Sequence, residues 1–143
     1  MSDAAYRAGD FVWTAFPERE NPARPGPRHV GYVAATTASP KINAVLVSYT
    51  SSQPWHGPTP PGVYSFDLAA AAAMGQSRGF TLDLRRLALI PITREWFPDL
   101  SDNGHGVIGR APERLRVELE AALTALLRRG PENAERLGPN LRR

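Results

Sequence analysis

The chain has 143 residues, of which 42% are hydrophobic and 22% are charged, a composition typical of one globular domain. No apolar run approaches the roughly 20 residues that cross a bilayer, and the first ten residues lack the basic-then-apolar order of a signal peptide. We therefore expect a cytoplasmic protein without membrane contact. The sequence contains no cysteine, which excludes disulfides and thiolate metal sites.

The charge balance is mildly basic, with a formal net charge of +3 at pH 7 and a pI near 9.8. Among the 17 basic residues, Lys41 is the only lysine and all the others are arginine. Arginine carries a rigid donor fork that suits phosphate, so RNA or DNA is a reasonable partner. A GC-rich genome also produces an excess of arginine over lysine, so composition alone does not show that RNA or DNA is the partner.

Alternating apolar and polar residues predict a series of short β-strands along the first half of the chain. The segment PWHGPTPPGV holds too many prolines for a central strand and is predicted to be a loop. After it, Asp67 suits the N-cap of a helical turn through the alanines, and Gly75 suits its end. The predicted strands are Phe11–Phe16, His29–Ala34, Asn43–Tyr49 and Val63–Phe66.

Phe80–Ile92 predicts one or two further strands with a bend near Arg85 and Arg86. Strict alternation along this segment places Arg85 on the same face as Asp83 and puts Arg86 on the other face. The connection that follows is rich in turn formers. Its Trp-Phe pair is predicted to pack between that connection and the last helix.

The clearest predicted element is an amphipathic helix from Ala111 to Arg129, with leucines at spacings of three, four and seven residues. Pro112 suits its first turn, and Gly130 ends it. A small curled antiparallel sheet closed by this helix is the simplest packing, which makes the fold mainly β with α. We expect one domain over residues 1–130 and a flexible tail over 131–143.

Four segments in order carry a family resemblance. GDFVWTAFP leads through a proline-rich and arginine-rich loop to PRHVGYV, and LVSYTSSQ, FTLDLRRLALIPI and GVIGRAPERLRVELEAALTALL follow. Together they resemble the PemK/MazF toxin family of type II toxin–antitoxin systems. The resemblance implies an SH3-like barrel, usually a homodimer, that cleaves single-stranded RNA without metal or cofactor. It also implies a cognate antitoxin that binds in the RNA groove.

The resemblance also implies an active site. Arg28 matches the arginine that precedes the family's second strand, Thr50 its active-site threonine, and Asp83 the acid of its later strand. Metal-independent RNA cleavage needs the ribose 2′-hydroxyl deprotonated, the phosphorane stabilised and the leaving oxygen neutralised. A guanidinium and a hydroxyl meeting at one phosphate supply part of that. For Arg28 the alternative is an ordinary salt bridge to a loop carboxylate such as Glu18 or Glu20. For Thr50 it is an ordinary strand-end cap that bonds local backbone, and for Asp83 it is a buried pair with a backbone amide or an arginine.

Two departures from the family pattern affect the acid–base half of this mechanism. Some members carry an arginine two residues before the acid, where this chain has Thr81. The family's Arg-Pro after the loop is Arg28-His29 here. A histidine at position 29 can serve as the proton carrier, although a lone strand histidine is more often an incidental surface residue.

Further residues are candidates for RNA contact because they lie in the same loop and strand ends or carry a stacking ring. For each, a solvated loop position or a local backbone hydrogen bond is the alternative. Trp13 is expected in the core instead, and no metal site is expected because the three histidines are scattered. The RNA-binding candidates are Arg19, Arg24, His29, Ser51, Ser52, Gln53, Trp55 and Arg85.

A second function remains open. The same barrel can bind nucleic acid or protein without turnover, because Thr81 replaces the arginine that some family members use. The basic composition suits both functions. Cleavage of RNA in the presence of EDTA, as opposed to binding alone, distinguishes them.

Overall fold

The computed structural model describes residues 6–36, 43–53, 55–101 and 105–139. Within these ranges the chain forms a mainly antiparallel sheet with two α-helices and a 3₁₀ turn, Pro131–Asn133. The helices are α1 (Leu68–Ala72) and α2 (Glu113–Arg129). The strands are β1 (Asp10–Thr14), β2 (His29–Thr36), β3 (Ala44–Ser51), β4 (Val63–Phe66), β5 (Phe80–Pro91), β6 (Val107–Arg110) and β7 (Glu135–Leu137).

The sheet order is β4-β5-β3-β2-β1-β6, and every neighbouring pair on this path is antiparallel. Irregular registers interrupt the β1–β6, β2–β3 and β3–β5 pairs, and such bulges increase strand twist and bend. The sheet is curled into a half-barrel and carries the amphipathic helix α2, which confirms the predicted fold class. Within the described residues, no helix is long and apolar enough to cross a membrane.

Both faces of the sheet are buried. Neighbouring residues of β1 enter different clusters: Phe11 packs with Leu119 of α2, while Val12 packs in a second cluster with Trp96 and Phe97. This separation follows from the alternation of side chains along a strand. The Trp-Phe pair is therefore packing, as predicted, but it covers the face away from α2. The long connection after β5 therefore covers that face of the sheet, as α2 covers the other face.

A bulge in β5 corrects one prediction. The β3–β5 register passes from Ser48 opposite Leu87 to Tyr49 opposite Asp83, so extra residues of β5 stand between two consecutive residues of β3. Arg85 and Arg86 consequently line the same groove as Asp83. The expectation that Arg86 lies on the opposite face was wrong because strict alternation fails at a bulge.

The segment after Gly130 is also more structured than the sequence predicts. β7 pairs in parallel with β5, Arg86 opposite Glu135, and Ala134 is buried in the core beneath α2. The expected flexible tail is therefore contradicted over residues 131–139, because a short apolar anchor and an open strand edge suffice to hold it. Residues 140–143 lie outside the described ranges.

Candidate functional site

A cleft of about 430 Å³ opens beside the end of the sheet where β2 begins and β3 ends. The strands contribute Trp13, the start of β2 and the end of β3 to its wall. The loop between α1 and β5 forms another part of the wall. The polar side chains in the lining are Arg28, His29, Thr50, Ser51, Ser52, Gln76, Ser77 and Arg78.

Antiparallel pairing explains why Arg28 and Thr50 meet. Gly31 of β2 lies opposite Tyr49 of β3, so the first residues of β2 stand beside the last residues of β3. The Thr50 hydroxyl donates a 2.7 Å hydrogen bond to the Val30 carbonyl, which ties the two strand ends together. The structure therefore brings the predicted guanidinium and hydroxyl to one cavity.

Arg28 is held in place by two neighbours. Its guanidinium carbon lies 4.0 Å from the centre of the Trp13 ring, and Nη2 donates to Asp99 Oδ2 at 2.8 Å. The predicted alternative of a salt bridge is thus realised, with Asp99 in place of Glu18 or Glu20. Trp13 is half-buried in the cleft wall, so its expected place in the core is corrected. An exposed ion pair of this kind is worth about 0 to 1 kcal/mol, so a phosphate can compete with Asp99.

Thr50 and His29 have defined hydrogen-bonding roles. Thr50 is 3% exposed, and because its proton is engaged by Val30, its oxygen is left to accept. His29 Nε2 bonds the Thr50 carbonyl. A carbonyl only accepts, so Nε2 carries hydrogen and Nδ1 is the nitrogen left to take up a proton. The His29 ring also stacks on Tyr49, with ring centroids 4.9 Å apart, so the ring lies on the Tyr49 face of the sheet and not beside the Thr50 hydroxyl.

Asp83 does not belong to the cleft. It lies opposite Tyr49, whereas Thr50 lies opposite Leu82, so Asp83 and Thr50 point to different faces of the sheet. Its carboxylate is bound by Arg85 at 2.9 and 3.0 Å in a separate groove of about 310 Å³. The prediction that Asp83 joins Arg28 and Thr50 is therefore contradicted by the strand register.

Thr81 stands at the position where some PemK/MazF members carry an arginine, and here it has a structural role. It is 4% exposed, and its hydroxyl donates a 3.0 Å hydrogen bond to the Gln53 carbonyl. A buried, satisfied threonine holds the end of β3 against β5. The position therefore supports the strand pair and offers no cation to a substrate.

The remaining predicted RNA contacts divide between the cleft and other surfaces. Ser51 and Ser52 line the cleft. Arg19 instead pairs with Glu135 at 2.6 Å, and this hydrogen-bonded partner lowers the pKa of Glu135. Trp55 donates to the Pro58 carbonyl at 3.2 Å. Also outside the cleft lining are Arg24, Gln53 and Arg85.

The loop Gly75–Gly79 contributes cleft residues that the sequence did not single out as a group. Gly75 has φ +77, and a Cβ there would stand 2.0 Å from the Ile108 carbonyl oxygen. A Cβ on Gly109 would stand 1.8 Å from the Met74 carbonyl oxygen. Two glycines thus let this loop lie directly on β6, which fixes the cleft wall. The available signal was a polar tripeptide, Gln-Ser-Arg, between two glycines.

Within the described ranges, no group of three or more His, Cys, Asp or Glu side chains is placed to hold a metal ion. No protein-family model and no curated protein matches this chain.

Proposed function

We propose that this protein is a metal-independent endoribonuclease that cleaves single-stranded RNA in the cleft. The observation that carries the proposal is the meeting of Arg28 and Thr50 in one cavity. A guanidinium and a hydroxyl oxygen at one phosphate supply the charge stabilisation and the orientation that transesterification of RNA requires.

In this mechanism Arg28 leaves Asp99 and binds the scissile phosphate with its guanidinium fork, stabilising the phosphorane as charge develops. The Thr50 oxygen accepts a hydrogen bond from the ribose 2′-hydroxyl and orients it. The 2′-proton passes to solvent as the 2′-oxygen attacks phosphorus. The bond from phosphorus to the 5′-oxygen breaks, and that oxygen takes a proton from solvent. The products are a 2′,3′-cyclic phosphate and a 5′-hydroxyl.

The test is cleavage of a long single-stranded RNA by the purified protein in excess EDTA. We expect discrete fragments from the wild type and from Thr50→Ser, and none from Arg28→Ala or Thr50→Val. Matched controls are Arg24→Ala, an exposed loop arginine, and Thr36→Val, an exposed threonine of β2. Both controls should cleave like the wild type. Equal loss in Arg24→Ala would show that bulk positive charge, and not the cleft, is responsible.

One observation favours a second candidate, a barrel that binds nucleic acid without turnover. Asp83 lies on the face of the sheet opposite to Thr50, and Thr81 is buried. The arginine and acid that some PemK/MazF members use as an acid–base pair are therefore absent from the cleft. Binding of RNA that depends on Arg28, with no fragments after long incubation, would support this candidate over the nuclease.

The toxin role, the homodimer and the antitoxin follow from the resemblance to PemK/MazF proteins and are part of the same proposal, as is a cytoplasmic location. Sedimentation should give the mass of two chains at micromolar concentration. Expression of the protein should arrest growth of a bacterial host, and Arg28→Ala should not. Arrest by the Arg28 variant would separate toxicity from RNA cleavage.

A further inference from the structure

The cleft does not end at the strands. A neighbouring cavity of about 570 Å³ shares Ser52, Arg78 and Phe80 with it. Because they share three lining residues, the two cavities lie side by side. Arg78 stands at their junction, on the short loop between α1 and β5.

Arg78 differs from Arg28 in its electrostatic state. Arg28 is paired with Asp99, whereas Arg78 makes no ion pair within the described part of the chain and is exposed. Its neighbours in the wall include the hydroxyls of Ser52 and Ser77. A free guanidinium beside hydroxyl donors is a suitable binding site for a phosphate.

The neighbouring cavity of about 570 Å³, called the far cavity below, has a lining that differs chemically from that of the cleft. Phe66 lines it and is half-buried, with its ring centroid 5.0 Å from that of Phe80. Asp67 also lines it and caps α1 by accepting from the Ala70 amide. Asp67 repels phosphate, whereas an aromatic ring offers a stacking surface for a base. The far cavity therefore suits a base better than a second anion.

We propose that Arg78 binds the phosphate next to the scissile one, and that Phe66 stacks the base of that adjoining nucleotide. This inference rests on the proposed function and narrows its substrate to a strand that engages at least two consecutive phosphates. Arg78 is then a positioning residue that holds the strand while Arg28 and Thr50 act on the scissile bond.

The experiment measures binding of non-cleavable 2′-O-methyl RNA by fluorescence anisotropy over a range of salt concentrations. For a single strand, each phosphate contact adds about 0.7 to the slope of log affinity against log salt. Arg78→Ala should therefore lower the slope by about 0.7 and weaken binding several-fold, and Arg78→Lys should keep the slope. The matched control is Arg114→Ala on α2, another exposed arginine without an ion pair in the described ranges.

Oligonucleotide length gives a second readout. A dinucleotide with one phosphate should bind the wild type and Arg78→Ala equally, because it fills only the Arg28 site. Longer strands should distinguish the two proteins. Phe66→Leu keeps apolar volume and removes the ring, and it should weaken binding of the longer strands about fivefold or more. A thermal melt of each variant checks that the fold is intact.

The outcomes separate the two proposals. Failure of the wild type to bind RNA would overturn both. Binding that depends on Arg28, with the same affinity and salt slope in Arg78→Ala as in the wild type, would overturn the Arg78 site alone. An equal slope change in Arg114→Ala would also overturn it, because the effect would then come from net charge.

Discussion

The Arg28–Asp99 pair makes a sharp prediction about affinity. The two side chains are 51% and 33% exposed and meet at 2.8 Å, so water and salt screen their attraction. Such a pair contributes about 0 to 1 kcal/mol. If a phosphate must displace Asp99, removing its charge returns that free energy to binding. Asp99→Asn should then tighten RNA binding about twofold to fivefold, since 1.4 kcal/mol is a factor of about ten.

The assay is anisotropy with the same non-cleavable RNA at fixed ionic strength. Asp83→Asn is the matched control because it removes the same unit of negative charge, also from an arginine pair, but on the other face of the sheet. It should change affinity less than Asp99→Asn does. Equal tightening in both variants would mean that net charge is responsible, and weaker binding in Asp99→Asn would show that Asp99 helps to present Arg28.

Three further predictions concern stability. Leu119 is 1% exposed in the core, so Leu119→Ala should lower the free energy of unfolding in urea by about 2 to 5 kcal/mol. Val117, on the same helix, is 49% exposed, so Val117→Ala should cost far less. Equal losses would mean that α2 does not cover the sheet. Burial raises the pKa of Tyr32 to about 12, above its ordinary value near 10. The folded state therefore favours the protonated phenol, and Tyr32 should account for about 2 to 3 kcal/mol of the stability lost between pH 10 and 12. Burial also raises the pKa of Tyr6, so Tyr32→Phe should reduce the fall by the share of Tyr32 in alkaline urea titrations, and an unchanged profile would contradict the assignment. Ending the chain at Gly130 removes β7 from the edge of β5 and should lower the melting temperature, a result refuted if the shortened protein melts like the full chain.

The periodicity of hydrophobic residues was sufficient to predict the long helices and strands. Leucines at helical spacing predicted α2, and alternating residues predicted β1 to β5 with ends correct to within a few residues. It was insufficient for β6 and β7, which are only four and three residues long. Strands this short have no pattern of their own, because they form where an edge of the sheet is available.

Residues of the site could be predicted where strand pairing brings them together. They could not be predicted where the tertiary fold brings them together. Arg28 and Thr50 line one cavity, as the family resemblance implied, because they lie at adjoining strand ends. Asp83 was misplaced because it pairs with Tyr49, one residue away from Thr50, and one residue reverses the face. The place of Arg78 in the cleft wall was not predicted, since nothing local shows that Gly75 and Gly109 let its loop lie on β6.

The contact between the carboxyl-terminal strand and the loop before β2 has a consequence for ligand capture. The Gly138 amide donates to the Pro22 carbonyl at 2.7 Å, and Arg19 is bound by Glu135. The loop is thereby crosslinked midway along its length and is left as two short spans. Little chain freedom remains in this loop, so Arg28 at its end is held near its position in the cleft wall before any ligand arrives.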